Sequence, residues 1–218
     1  MTAEEKYKDS FGLGTSPDQP KTERALQHAL DIRKFEIGLY WQRATYFWTL
    51  IAATFAGHFA VLSAEHMRDK YFNAYVLACV GLIFSLAWFL TNRGSKYWQE
   101  NWENHVDMLE DEITGPLYKT VLHRPVNVGL LSRAIEGPAP YSVSQINQWV
   151  SLFTLAVWLP LIVNVLPEFD LTRQVSVKHT VIGVITALTV YLMLRRTKSN
   201  IVEGHKHSMS VKGTAVID

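Results

Sequence analysis

Apolar residues along this chain gather into four long runs separated by polar stretches. The first covers residues 44–64 and holds His58 as its one group ionisable near neutral pH. The second, 72–91, holds none. The third, 148–166, is interrupted by Pro160 and Asn164. The fourth, 179–194, is the shortest and is rich in β-branched residues: Val181, Ile182, Val184, Ile185 and Val190. A helix needs about 20 apolar residues to cross the hydrocarbon core of a bilayer. In water the fourth run suits a buried strand. In lipid it must be helical, because only then are its backbone groups satisfied within the segment. The pattern predicts an all-α protein with four transmembrane helices.

Two further stretches show helical periodicity outside these runs. Over 22–43, Ala25, Ala29, Ile32, Leu39 and Arg43 follow one line, and Leu26, Leu30, Ile37 and Tyr40 another. Thr22 reads as an N-cap behind Pro20. No breaker precedes the first span, so this helix runs into it. Over 95–114, Trp98, Trp102, Val106, Leu109 and Ile113 form one face, and Glu100, Glu103, Asp107, Glu110 and Asp111 form another. Gly115 and Pro116 are the expected stop. Pro125, Gly129, Gly137, Pro138 and Pro140 then mark an irregular connector, and Ser142 or Ser144 offers a cap for the third span. The expected division is a flexible tail over 1–21, a cytoplasmic amphipathic helix over 22–43, and a first transmembrane helix pair over 44–91. A cytoplasmic helix and connector over 92–146, a second transmembrane pair over 147–194 and a cytoplasmic tail over 195–218 follow. The first 20 residues are polar, with Gly12, Gly14, Pro17 and Pro20, and do not read as a cleavable signal.

Charge orients the spans. Seventeen lysines and arginines fall in the tails and the central connector, against four (Arg68, Lys70, Arg173, Lys178) in the two short loops. Positive residues stay in the cytoplasm, so both termini are expected there. Trp41, Tyr46, Trp48, Trp88 and Trp149 fall near the same boundary, where amphipathic rings settle. The net charge of +1 gives no reason to expect a nucleic-acid partner. The single cysteine, Cys79, excludes an intramolecular disulfide and any multi-cysteine metal site.

Two strings are distinctive: DIRKFEIGLYWQRATYFW at 31–48, entering the first span, and KYWQENWENHVDMLEDEITGPLYK at 96–119, leaving the second. Over residues 25–119 the chain resembles the RipA-like family of small octameric bacterial inner-membrane proteins. The resemblance implies a multi-pass protein of the bacterial cytoplasmic (inner) membrane that assembles with itself, as an octamer, and whose biochemical activity is not established. It supplies no catalytic residues. The layout also looks like two-span effectors paired with anti-phage sensors, although these lack a clear second pair of spans.

The candidate chemistry is sparse. Carboxylates at i and i+3 or i+4 converge, so the acidic face suits either a divalent cation or a salt-bridge network. The expected network sets Arg33, Lys34 and Arg43, with Arg24 beside them, against Glu100, Glu103, Asp107, Glu110 and Asp111. An imidazole inside a span is either a possible pH-sensing group or a neutral hydrogen-bonded one, and His58 carries both readings. Pro160 and Asn164 suggest a kink or a polar lining. His205 and His207 are weak metal candidates, as are His105 and His123 beside the acidic face. No glycine-rich phosphate loop, His-Glu-x-x-His or nucleophile elbow is present, so no catalytic, cofactor or metal residues are assigned and an enzyme is not expected. Small residues line up at Ala52, Ala56 and Ala60, at Ala53 and Gly57, and at Gly81 and Ser85, which suits close helix packing within or between subunits. The assembly candidates are therefore Ala52, Ala56 and Ala60 together with Trp98, Trp102, Val106 and Leu109. The expectation is a homo-oligomeric ring whose partners are its own copies and membrane lipids. Its expected role is a scaffold, or a small conduit, linked to stress adaptation, with a signal-triggered membrane-perturbing effector as the alternative.

Overall fold

The computed structural model describes residues 19–122, 139–167 and 176–198. Its ordered elements are four α-helices: α1 (Gln19–Ser63), α2 (Lys70–Leu109), α3 (Val143–Val165) and α4 (Val177–Arg196). Each is long and apolar enough to cross a membrane. The expected N-terminal tail, most of the connector and the C-terminal tail lie outside the described residues.

Helix length separates the four into two kinds. At about 1.5 Å per residue, α3 and α4 match a hydrocarbon core of about 30 Å, whereas α1 and α2 are roughly twice as long. These two form one antiparallel hairpin, half of which crosses the membrane and half of which projects beyond it as an arm. The register is read from paired residues: His58 with Ala74, Trp48 with Trp88, Arg43 with Ser95, Arg33 with Glu103, and Leu26 with Val106 and Leu109. Buried residues recur every three or four positions on both helices, including Leu26, Ala29, Tyr40, Ala44, Ile51, Thr54 and His58 on α1. The reversal between them needs no glycine. Asp69 takes the left-handed conformation (φ 55°) that short polar side chains tolerate, and the amide of Asn73 bonds its carbonyl oxygen at 3.0 Å.

Two boundaries differ from the sequence reading. The first helix opens at Gln19, upstream of Thr22, so Thr22 is a buried residue of its first turns and not its cap. Pro20 is tolerated there because the first turn makes no use of its missing N–H. The second helix ends at Leu109, and a turn replaces the expected helix through Thr114. The amides of Ile113 and Thr114 both bond the Glu110 carbonyl, at 3.0 and 2.9 Å, and Gly115 adopts φ 72°. Pro160 stays within α3.

α3 begins at Ser142, whose hydroxyl accepts the Gln145 amide at 3.4 Å. It lies mainly along α2. α4 packs mainly against α2, buries no residue of its own, and sets Gly183 beside the Tyr75 hydroxyl.

Candidate functional site

The largest fully buried side chain of the spans is Trp158 of α3. Gly81 provides its socket: a Cβ there would lie 2.3 Å from the indole ring. The indole N–H donates to Ser85 Oγ at 3.0 Å, and the ring stacks on Phe55 with centroids 4.0 Å apart. The Gly81–Ser85 line therefore works inside the subunit, admitting an aromatic from a third helix. His58 meets the same ring edge-on at 6.1 Å. It is fully buried, and its Nδ1 stands 2.9 Å from the Ala74 carbonyl oxygen. A carbonyl only accepts, so Nδ1 carries the proton. Nε2 has no hydrogen-bond partner.

Where the hairpin leaves the membrane, polar groups join α3 to it. Asn147 Nδ2 donates to the Tyr40 hydroxyl at 2.8 Å, and Asn92 Nδ2 donates to the Asn147 carbonyl at 3.4 Å. Arg43 donates to Ser95 Oγ at 2.9 Å. Three helices are thus tied at one level by bonds that would be unsatisfied if any one of them withdrew.

The arm is held by an apolar cluster of Leu26, Ala29, Val106 and Leu109, with Trp102 and Ile113 packed beside it. Trp98, placed by spacing on that same face, is 41% exposed. The charge network is smaller than expected. Among the described residues only Arg33 reaches across to the acidic residues, pairing with Glu103 at 3.5 Å, and Lys96 joins Glu103 and Glu100 at 3.6 Å each. Arg43 turns instead to Glu36 at 3.7 Å, because the hairpin register puts it level with Ser95, short of the carboxylates. Asp111 pairs with Lys119 at 2.7 Å. Lys34 is exposed and makes no ion pair among the described residues.

Glu110 corrects the sequence reading most clearly. It is fully buried, and its carboxylate accepts the amides of Tyr118 at 2.8 Å and Lys119 at 3.1 Å. It closes the loop after α2 and is not part of a solvated acidic face. The hydrogen bond to Asp111 raises the pKa of Lys119, with the nearby Asp107 and Glu110 adding to it. A cavity of about 280 Å³ lies between Arg33, Glu103, Asp107 and Tyr118. The Arg33 guanidinium sits over the Tyr118 ring, 5.3 Å from its centroid. Among the described residues no group of three or more His, Cys, Asp or Glu is placed to hold a metal ion. His123, His205 and His207 lie outside the described residues.

Ala52, Ala56 and Ala60 are exposed on the side of α1 away from α2, as is Ala53, whereas Gly57 packs against Leu77. The Ala52–Ala56–Ala60 line is thus left uncovered by the described residues of the protomer. Asn164 is exposed on α3 and does not face the helix core. Trp158, Gly81, Tyr40 and Asn147 were not singled out as a group by the sequence. One signal was available: Trp158 is the one tryptophan lying deep inside an apolar run, away from the boundaries that tryptophan favours.

A family model described as the octameric membrane protein family (8xMP) matches residues 23–167, more than half of the chain. The matched part spans the hairpin, its arm and α3. No curated protein and no solved structure matches the chain.

Proposed function

The chain belongs to the octameric membrane protein family, and on that footing we propose that eight copies form a non-enzymatic scaffold in the bacterial inner membrane, with the paired arms as a cytoplasmic collar. The observation that carries this reading is the distribution of polar and apolar side chains. Within the spans, His58, Ser85, Ser151 and Asn92 all bond protein groups inside the subunit. Outwardly, α1 presents Ala52, Ala56 and Ala60, and α4 presents Val181, Val184, Ile185 and Leu188. Such a surface suits lipid and other subunits. A conduit, if the ring has one, would run along the axis between subunits. Neither a link to stress adaptation nor the membrane-perturbing effector gains a supporting observation from the fold.

The charge asymmetry supports both termini lying in the cytoplasm, on the side of the arm. Cysteine labelling tests this orientation. A thiol introduced at Glu65 should react with a membrane-impermeant reagent in intact cells, and one at Lys198 should react only after lysis. Reaction at both sites in intact cells would remove α4 as a span. The scaffold reading is tested by reconstitution. Liposomes carrying the assembled protein should hold a potassium gradient as long as empty liposomes do, and rapid loss of the gradient would replace the scaffold with a conduit.

A further inference from the structure

The two outer faces of the arm point away from each other, since each helix turns its buried side to its partner. On α1 the outer face carries Lys34, Phe35, Gly38 and Gln42, all exposed. A cavity of about 350 Å³ opens there, lined by Asp31, Lys34, Phe35, Gly38, Leu39 and Gln42. Nothing lies within 4 Å of where a Cβ on Gly38 would be. On α2 the outer face carries Tyr97, 50% exposed, and Glu100, whose side chain is 60% exposed.

The two faces also differ in charge. Residues 21–43 hold five basic and three acidic side chains, a net +2. Over its part of the arm, residues 95–109, α2 holds one basic and three acidic side chains, a net −2, while Glu110 beyond them is buried and Asp111 is paired with Lys119. Among the described residues one ion pair, Arg33 with Glu103, joins the two helices of the arm, and Lys34 is left without a carboxylate partner within the subunit. A closed ring joins unlike faces head to tail. Its axis runs along the membrane normal, so every residue keeps its depth from copy to copy. The Arg33–Glu103 and Arg43–Ser95 pairs fix the levels: Gly38 stands level with the turn from Tyr97 to Asn101, and Lys34 close to Glu100.

We propose that the α1 groove at Gly38 receives Tyr97 from the α2 face of the next copy in the ring, with Lys34 paired to that copy's Glu100. The proposal rests on the octameric reading above. Glycine leaves room for an aromatic ring to approach the α1 backbone, and Phe35 and Leu39 flank it. The Lys96–Glu100 pair is exposed and weak, so Glu100 is free to turn to a second cation. The same side of α1 continues into the membrane as Ala52, Ala56 and Ala60, so collar and membrane contacts form one seam.

Two arms test it, both in a Cys79→Ala chain. In the first, Gly38→Cys and Tyr97→Cys are combined and the membranes are oxidised. Within one subunit these positions lie on opposite sides of a helix pair, about 14 Å apart at Cα from the interaxial distance and the helix radius, beyond the reach of a disulfide. The expected result is a ladder of disulfide-linked multimers ending at eight, absent from either single-cysteine chain. The second arm is independent of whether that variant folds. Lys34→Glu or Glu100→Lys alone should weaken subunit association roughly fivefold per interface, and the two together should restore it. A wild-type octamer that gives no ladder and ignores both reversals overturns the interface. A ladder ending at another number keeps the interface and overturns the octamer.

Discussion

Glu110 and His58 share a feature: a buried polar side chain with backbone as its partner. The Glu110 carboxylate satisfies the Tyr118 and Lys119 amides, so Glu110→Ala should strip both of an acceptor. The expected cost is about 1–3 kcal/mol, and hydrogen exchange at these two amides should accelerate while α2 amides stay protected. Unchanged exchange would mean the loop is held by other contacts. Lys119 adds a pH signature. Its folded pKa is raised above the ordinary 10.5 by the hydrogen bond to Asp111, so its contribution is full below that value and disappears as the pH climbs above it. Loop protection should therefore persist through neutral pH and fall only in strong alkali, a fall that Lys119→Met should abolish. For His58, a carbonyl on Nδ1 and no partner on Nε2 favour the structural role over pH sensing. His58→Leu should lower thermal stability, by about 1 kcal/mol, with assembly between about pH 5 and 7 unchanged in both proteins. A pH-dependent wild-type assembly that the variant loses would restore the sensing role. The sequence showed that both residues were polar and where they fell in the pattern. It did not show that Glu110 turns inward, because that depends on a loop nine residues downstream folding back.

At the scale of elements, the four spans were legible because lipid leaves a helix no alternative, so length and hydropathy nearly suffice. The continuity of α1 was legible too, from unbroken spacing without glycine pairs or internal proline between 21 and 63. The docking of α3 was not. It depends on Gly81 and Trp158 meeting across 77 residues of sequence, which periodicity within a helix does not encode. The account predicts that Gly81→Ala displaces Trp158 and destabilises the bundle by about 1–3 kcal/mol, read as a lower unfolding temperature and altered tryptophan fluorescence. Adding Trp158→Leu should recover part of the loss, since the smaller side chain relieves the clash. If Gly81→Ala alone is neutral, the socket is looser than its geometry implies. In the arm, spacing grouped Trp98 with Trp102, Val106 and Leu109, yet only the latter three join the cluster. Trp102→Glu should accordingly open the arm, whereas Trp98→Glu should leave the protomer folded. Equal loss of arm protection in both would place Trp98 in the same core.

For the whole molecule, family membership and the protomer surface converge. A subunit whose fourth span buries none of its residues, and whose first span leaves a line of alanines uncovered, exposes more packing surface than its own fold uses. The oligomer was legible through the two distinctive strings on the arm. Which faces meet was not, since that depends on the hairpin register and on sides of α1 and α2 fixed only once the helices pair. The central claim is a ring of eight hairpins with its arms gathered on one side of the membrane. Single-particle imaging of the detergent-solubilised, full-length protein tests it most directly. The account predicts top views with eightfold symmetry, and side views with a collar projecting about 30 Å from one face of the membrane disc, as the arm length requires at about 1.5 Å per residue. Particles of another symmetry, or arms projecting from both faces, would contradict it.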